Sequence, residues 1–284
     1  MDAALTRTTD RCEQIFTTLD SSMLDLQLAQ RCGSTGTVVL VARDVVHVAN
    51  VGDSSAVLCR GAQALELTTT HRPDLPDEAA RVQAAGGVVR KVLCPPLSRD
   101  SWGRSPSVGT SLARSTWSYT LALSLDRRTA QGKGGVLRVS RPDVKGGLAV
   151  SRGFGDAFLK SPLPLLTCEP SVSSTPLHPT DEFIIIASDG APLTSRHSQR
   201  PVARVACSLP RPGAFAHTAA ADVRDECAGL WDVLSARAAV KLVRKRNLPS
   251  AQAAAAALVK AALTRGSTDN ITALVVYLGA RPPN

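Results

Sequence analysis

The sequence predicts a mixed α/β protein of the α+β type, with stacked β-sheets flanked by helices. Three observations carry this reading. β-Branched residues fill one block, TVVLVARDVVHVANVGDSSAVLCR from Thr37 to Arg60, and an isoleucine-rich apolar run stands much later, from Phe183 to Ala187. Two helical segments lie side by side near the end, Ser235 to Arg246 and Ser250 to Arg265. Strands therefore come in clusters and do not alternate one by one with helices, which disfavours a doubly wound parallel sheet. At roughly 150 residues per domain, 284 residues predict one or two domains with a core that needs no disulfide or metal staple.

Each element has its own signal. Ile15, Leu19, Met23 and Leu26 recur at spacings of three and four, the apolar face of a helix within residues 2–31. The Thr37–Arg60 block breaks at Arg43-Asp44 and Gly52-Asp53, which predicts three short strands in an antiparallel meander. DLPDEAARVQAAGG, residues 74–87, reads as a helix with Asp74 as its cap, Pro76 and acids in the first turn, and Gly86-Gly87 as its stop. A strand is expected at Val136 to Val139. Phe183 to Ala187, bounded by Asp181 and by Asp189-Gly190, has the continuous apolar text of a strand buried on both faces. Ser235 and Ser250 each open a helix as its cap, and Gly266 closes the second. The last strand spans Ile271 to Leu278. No internal repeat is visible.

Composition narrows the function classes. With 44% hydrophobic and 20% charged residues, the chain is neither disordered nor collagen-like. Its net charge of +9 would suit a nucleic-acid partner, but the excess is local. Residues 90–133 hold 8 Lys/Arg against 2 acids and residues 191–229 hold 5 against 3, leaving 20 against 19 elsewhere. Those segments lack interleaved aromatics and any recognition motif, so no nucleic-acid partner is expected. No uncharged stretch reaches the ~18 residues of a membrane span, and the acids Asp2, Asp10, Glu13, Asp20 and Asp25 argue against a signal or transit peptide. The seven cysteines, Cys12, Cys32, Cys59, Cys94, Cys168, Cys207 and Cys227, include no CxxC pair and read as reduced, mostly buried thiols of an intracellular protein. Gly132-Lys133-Gly134 is not a P-loop, and no GxSxG elbow is present.

One design repeats four times: an apolar strand beside an Asp with a Gly, Ser or Asn neighbour. The aspartates are Asp53 in VGDSS, Asp156 in GFGD, Asp189 in ASDG and Asp269 in STDN. Singly, each is ordinary turn vocabulary. Together, carboxylates at the ends of neighbouring strands supply the hard oxygen ligands that Mg²⁺ and Mn²⁺ prefer.

The stretch from Gly33 to Gly87 resembles the middle of the type 2C family of metal-dependent protein serine/threonine phosphatases. The resemblance resumes, in the family's order, at GGLAVSRGFGD (Gly146 to Asp156), EPSV (Glu169 to Val172), DEFIIIASDG (Asp181 to Gly190), LWDVLS (Leu230 to Ser235) and GSTDNITALVV (Gly266 to Val276). It implies a two-sheet β-sandwich with helices on both outer faces and a centre of two Mg²⁺ or Mn²⁺ ions at one edge. There a metal-activated water hydrolyses phosphoserine and phosphothreonine in protein substrates. Asp189 and Asp269 match the family's metal aspartates, and Asp53 and Asp232 match positions linked to an additional, weaker metal site. Arg152 and Asp156 also match family residues and are read as structural supports of the sheet.

Two departures qualify what the resemblance implies. The family's phosphate-binding Arg and Asp-Gly-His-Gly-Gly turn, whose Asp bridges both metals, have no counterpart, since none of His47, His71, His178, His197 or His217 follows a glycine. Residues 1–284 therefore read as one phosphatase-like domain lacking its amino-terminal part, expected to turn over very poorly without that block. A phosphatase-like binding domain without activity is the alternative. Residues 90–133 and 191–229 interrupt the family text, the second splitting the turn between Asp189-Gly190 and Leu230-Trp231-Asp232; they are either translated noncoding sequence or genuine surface loops lying outside the sandwich. A monomer, in the cytoplasm or nucleus, is expected, or in an organelle if a targeting segment precedes Met1.

Overall fold

The computed structural model describes residues 3–25, 29–42, 44–92, 136–143, 147–188, 219–222, 229–245, 248, 250–267 and 271–279. The chain begins with α1 (Ala3–Asp25) and then forms β1 (Gly33–Ala42), β2 (Val45–Val51), β3 (Ser55–Arg60) and β4 (Gln63–Glu66). α2 (Pro76–Ala84) leads to β5 (Val88–Val92), β6 (Val136–Ser140) and the short β7 (Phe154–Gly155). β8 (Ser171–Pro176), β9 (Asp181–Ala187) and β10 (Ala219–Asp222) precede α3 (Leu230–Val233), α4 (Ala236–Lys245), α5 (Ala251–Thr264) and β11 (Ala273–Tyr277).

Two antiparallel sheets stack. The first has the order β10-β1-β2-β8, with β7 also on β1; the second has the order β11-β9-β3-β4. β9 shows why its text is apolar without a break. Ile184 and Ile186 enter the layer between the sheets with Val39, Val46, Val48 and Leu58, while Phe183, Ile185 and Ala187 face α3, α4 and α5. On the outer face of the first sheet, Phe16 of α1 packs with Ala49, Val51 and Phe154. Helices thus cover both outer faces, the sandwich that the resemblance implies.

The helix caps follow the sequence in part. Ser250 Oγ accepts from Ala253 N at 3.1 Å and Ser235 Oγ from Ala238 N at 3.3 Å, as serine caps should. α2 ends at Gly86 (φ +84°) as expected, but its cap position is Leu75, with no side-chain hydrogen bond. Asp74 is instead drawn to Arg72 Nε at 3.3 Å.

Four other expectations are corrected. The meander is broken, because β3 leaves β2 at the Gly52-Asp53 turn and pairs with β9 in the other sheet; Ala56, Val57, Leu58 and Cys59 are all buried, which requires cover on both faces. α1 is rotated from the expected face in part: Ile15 is 60% and Leu19 45% exposed, whereas Phe16 and Asp20 are buried and, of the expected residues, Met23 packs against the Phe16 cluster. A polar contact sets that rotation: Asp20 Oδ1 accepts from Lys160 Nζ and from Gly155 N (2.7 Å), and an ion pair out of water must be kept intact. Of the four described cysteines only Cys59 is fully buried, and Cys32 is exposed. The interrupting segments do not lie wholly outside the folded body, since β5 runs to Val92 in a ribbon with β6 and β10 pairs with β1 from Ser34↔Asp222 to Thr37↔Ala219. An open strand edge carries unpaired N–H and C=O groups that any extended backbone can satisfy, and β10 does so at the rim of the sheet.

The β1–β7 junction depends on a close approach at Gly36. A Cβ there would lie 2.6 Å from the Phe154 ring, which is itself 5.2 Å centroid to centroid from Phe16. Gly36→Ala is therefore expected to destabilise the fold by about 1–3 kcal/mol through overpacking, read from thermal unfolding followed by circular dichroism. An unchanged melting temperature would show that Phe154 moves aside freely.

Candidate metal centre

One end of the second sheet gathers four chain segments. Ala187, the last residue of β9, is in register with Ala273 of β11 on one side and Ser55 of β3 on the other. Ser188 extends this junction: its N–H donates to Thr272 O at 3.0 Å and its Oγ accepts from Thr272 N at 3.1 Å. α3 is tied to the same point, with Trp231 Nε1 donating to Ala187 O at 3.0 Å and Leu230 N to Ser188 O at 3.4 Å. The chain thus returns to the end of β9 despite the long segment after Asp189, with Asp232 next to the anchored Trp231.

Asp53 stands two residues before β3, on a turn fixed by buried polar contacts. Gly52 has φ +100°, and a Cβ there would run into Thr35. His71 brackets this glycine: its N–H donates to Gly52 O at 2.9 Å, and its Nδ1 accepts from Gly52 N at 3.1 Å. Asn50, fully buried, donates to Gly52 O at 3.1 Å and to Thr69 O at 2.9 Å while accepting from Thr37 Oγ1 at 2.6 Å. Ser54 is held against Thr35, Oγ to Oγ1, at 2.9 Å.

The charges at this corner are poorly compensated. Burial pushes the Asp53 carboxyl up to about 6; its own backbone N–H opposes the rise, the Asp232 charge adds to it, and Arg72 opposes it again. Burial also raises Asp232, against the Arg72 charge and a hydrogen bond at Gly229. The repulsion between the two carboxylates falls on Asp53, the less exposed of the pair, which gives up its charge first. Arg72 is a weak counter-ion, since it is 45% exposed and shared with Asp74.

Of the aspartates proposed from the sequence, Asp53 and Asp232 are near enough for the Asp232 charge to raise the Asp53 carboxyl. Asp189 and Asp269 lie outside the described residues, as does the separation of their carboxylates. Asp156 sits apart, buried, with φ +51°, its carboxylate against the open face of Gly33 and its N–H donating to Cys32 O at 2.9 Å. Arg152 is engaged elsewhere too, donating through Nε (2.9 Å) and Nη2 (2.7 Å) to Glu78 Oε1 and through Nη1 to Glu169 O (3.0 Å). Among the described residues no group of three or more His, Cys, Asp or Glu could hold a metal ion. His71 and Arg72 had no role in the sequence reading; their signal is position, directly before the helix that starts at Pro76, and it means little until Gly52 is seen beside them.

Compared with known protein families, residues 2–99, 127–191 and 226–271 match protein phosphatase 2C. The chain belongs to the protein phosphatase 2C family. It is 34% identical over 254 residues to protein phosphatase 2C 50 of Oryza sativa subsp. japonica, covering 89% of this chain and 48% of that protein. Two solved structures show the same fold. The serine-threonine phosphatase 2C from Toxoplasma gondii superposes with a TM-score of 0.54 at 21% identity, over 95% of this chain and 65% of that one. A C. elegans sex determining protein superposes with a TM-score of 0.58 at 17% identity, over 98% and 48%. The chain spans about half the length of the curated protein phosphatase 2C relatives it matches. The family match passes over residues 100–126 and 192–225.

Proposed function

We propose that this chain carries metal-dependent hydrolysis of phosphoserine and phosphothreonine in protein substrates, with Asp53, Asp189, Asp232 and Asp269 holding Mg²⁺ or Mn²⁺. The observation that carries the reading is the corner at the end of β9. The Asp232 charge raises Asp53 there, and among the described residues the exposed Arg72 is the cation that offsets it. A divalent cation with oxygen ligands fits that donor set. Asp189 follows Ser188 in the sequence and Asp269 precedes Thr272 by three residues, and Ser188 and Thr272 are the residues that the junction joins. The chemistry such ions supply when bound is activation of water and neutralisation of phosphoryl charge.

The protein's own contribution is rigid placement. The Gly52 turn fixes Asp53, and Trp231, bonded to the last carbonyl of β9, anchors the helical turn that carries Asp232. The interrupting segments at 90–133 and 191–229 are insertions in this reading, supported by the family match that passes over most of both. Phosphoproteins are the partners; a nucleic acid or membrane is not. The protein acts as an intracellular monomer. Among the described residues no helix is long and apolar enough to cross a membrane.

The test is release of phosphate from a phosphothreonine peptide with Mn²⁺ titrated, alongside Asp189→Asn and Asp269→Asn. Slow, Mn²⁺-dependent turnover is expected, slow because the sequence holds no Asp-Gly-His-Gly-Gly turn to bridge two ions, and each substitution should abolish it. Full activity in Asp189→Asn would refute the ligand assignment. Peptide binding without any turnover would favour the phosphatase-like binding domain instead.

A further inference from the structure

The imidazole of His71 is 2% exposed and joins two parts of the chain a hundred residues apart. Its Nδ1 lies 3.1 Å from Gly52 N, and a backbone amide can only donate, so Nδ1 must present a bare lone pair. The ring proton then belongs on Nε2, where it is donated to Ser171 Oγ at 2.7 Å. Ser171 opens β8 and pairs in register with Asn50, whose amide holds the carbonyl of the same Gly52. The backbone of His71 is engaged as well, its N–H on Gly52 O (2.9 Å) and its C=O accepting from Ser151 N (3.0 Å). Ser151 O in turn accepts from Arg81 Nη2 of α2 at 2.7 Å. The turn carrying Asp53 is thereby fastened to the first sheet and to the α2 region through one ring in one tautomer.

We propose that His71 is a positioning residue for the Asp53 metal ligand, acting through its Nδ1 lone pair on the Gly52 amide, with Ser171 selecting the tautomer. Partners of this kind orient metal ligands, and their loss typically weakens metal affinity ~10–100-fold. The inference rests on the proposed role of Asp53. It differs from that of a merely packed histidine because the two ring nitrogens have separate consequences. In His71→Asn the side-chain Oδ1 takes the place of Nδ1 and can still accept from Gly52, whereas the bond to Ser171 is lost. In His71→Gln the amide nitrogen reaches toward Ser171, and the acceptor at the Nδ1 position is lost.

Two measurements on the full chain test this. Long-range ¹H–¹⁵N NMR of the unaltered protein at neutral pH should show His71 protonated on Nε2 alone; a proton on Nδ1 overturns the proposal whether or not any variant folds. Calorimetric titration with Mn²⁺ alone should show a step that Asp53→Asn removes. That step should be retained within ~3-fold in His71→Asn and weakened ~10-fold or more in His71→Gln. Equal affinities in the two variants would overturn the role, since each loses a different ring contact and only loss of the Gly52 acceptor should reach the metal ligand. An unaltered chain that shows no such Mn²⁺ step refutes the metal reading of Asp53, and the role of His71 with it. That result is distinct from one in which the step is present and indifferent to His71.

Discussion

Glu78→Ala is expected to lower the melting temperature by roughly 6–15 °C, from a loss of about 3–5 kcal/mol. Glu78 is a helix residue only 5% exposed, and two guanidinium groups converge on it. Arg152 donates to Oε1 at 2.7 and 2.9 Å, and Arg81 Nη2 donates to Oε2 at 3.1 Å. Alanine would leave two arginines of low exposure facing each other without the carboxylate between them, which costs far more than an exposed pair is worth. The same carboxylate gives an acid signature. Burial alone would raise it, but the hydrogen bonds from Arg152, with the charges of Arg152 and Arg81, bring it down to about 2. A folded value below the unfolded ~4.3 means the stabilisation is complete above pH ~4.3 and is lost as pH falls toward 2, ~2–3 kcal/mol in all. The gap between the unaltered chain and Glu78→Ala should narrow across that window in thermal unfolding with EDTA present. A gap that is small at pH 7, or constant down to pH 2, would show that the ion pair contributes little.

What the sequence made legible follows from the range of the interactions. β9 was legible because an unbroken FIIIA run needs apolar cover on both faces, wherever the cover comes from. The α4 and α5 caps were legible because Ser235 and Ser250 act on residues three further on. α1 was misread because Asp20 is held by Lys160, 140 residues away, and no periodicity records that partner. The sheet change at Gly52-Asp53 was missed for the opposite reason, since a glycine-aspartate turn reads alike whether the next strand returns or crosses over. The site divides the same way. Asp53, Asp189 and Asp269 were legible as carboxylates at strand ends and Asp232 only through the family resemblance, while the His71 and Glu78 networks that hold the corner join residues 19 to 100 positions apart and left no pattern along the chain.

Asp53→Asn is expected to stabilise the metal-free chain while removing a step of metal binding. The Asp53 carboxyl titrates at about 6 in the folded protein, raised chiefly by burial and further by Asp232, against ~3.9 when unfolded. The folded state therefore holds this proton more tightly than the unfolded state does. The resulting penalty is absent below pH ~4, grows between pH ~4 and 6, and is complete at neutral pH. With the side chain partly exposed, it amounts to about 1–2 kcal/mol. Asparagine carries no charge to desolvate, so with EDTA at pH 7.5 the variant should melt roughly 2–8 °C higher and at pH 4 no higher. Mn²⁺ should reverse the order, because a cation that binds only the folded chain stabilises it in proportion to its affinity, and the variant has lost a ligand. Its affinity should also weaken in the unaltered chain as pH falls through 6, where the proton competes for the same oxygens. Stability given up by a half-buried carboxylate at neutral pH and restored by a divalent ion distinguishes a ligand from a structural aspartate. A variant that melts lower than the unaltered chain in EDTA at pH 7.5 would show that Asp53 holds the turn and not the metal.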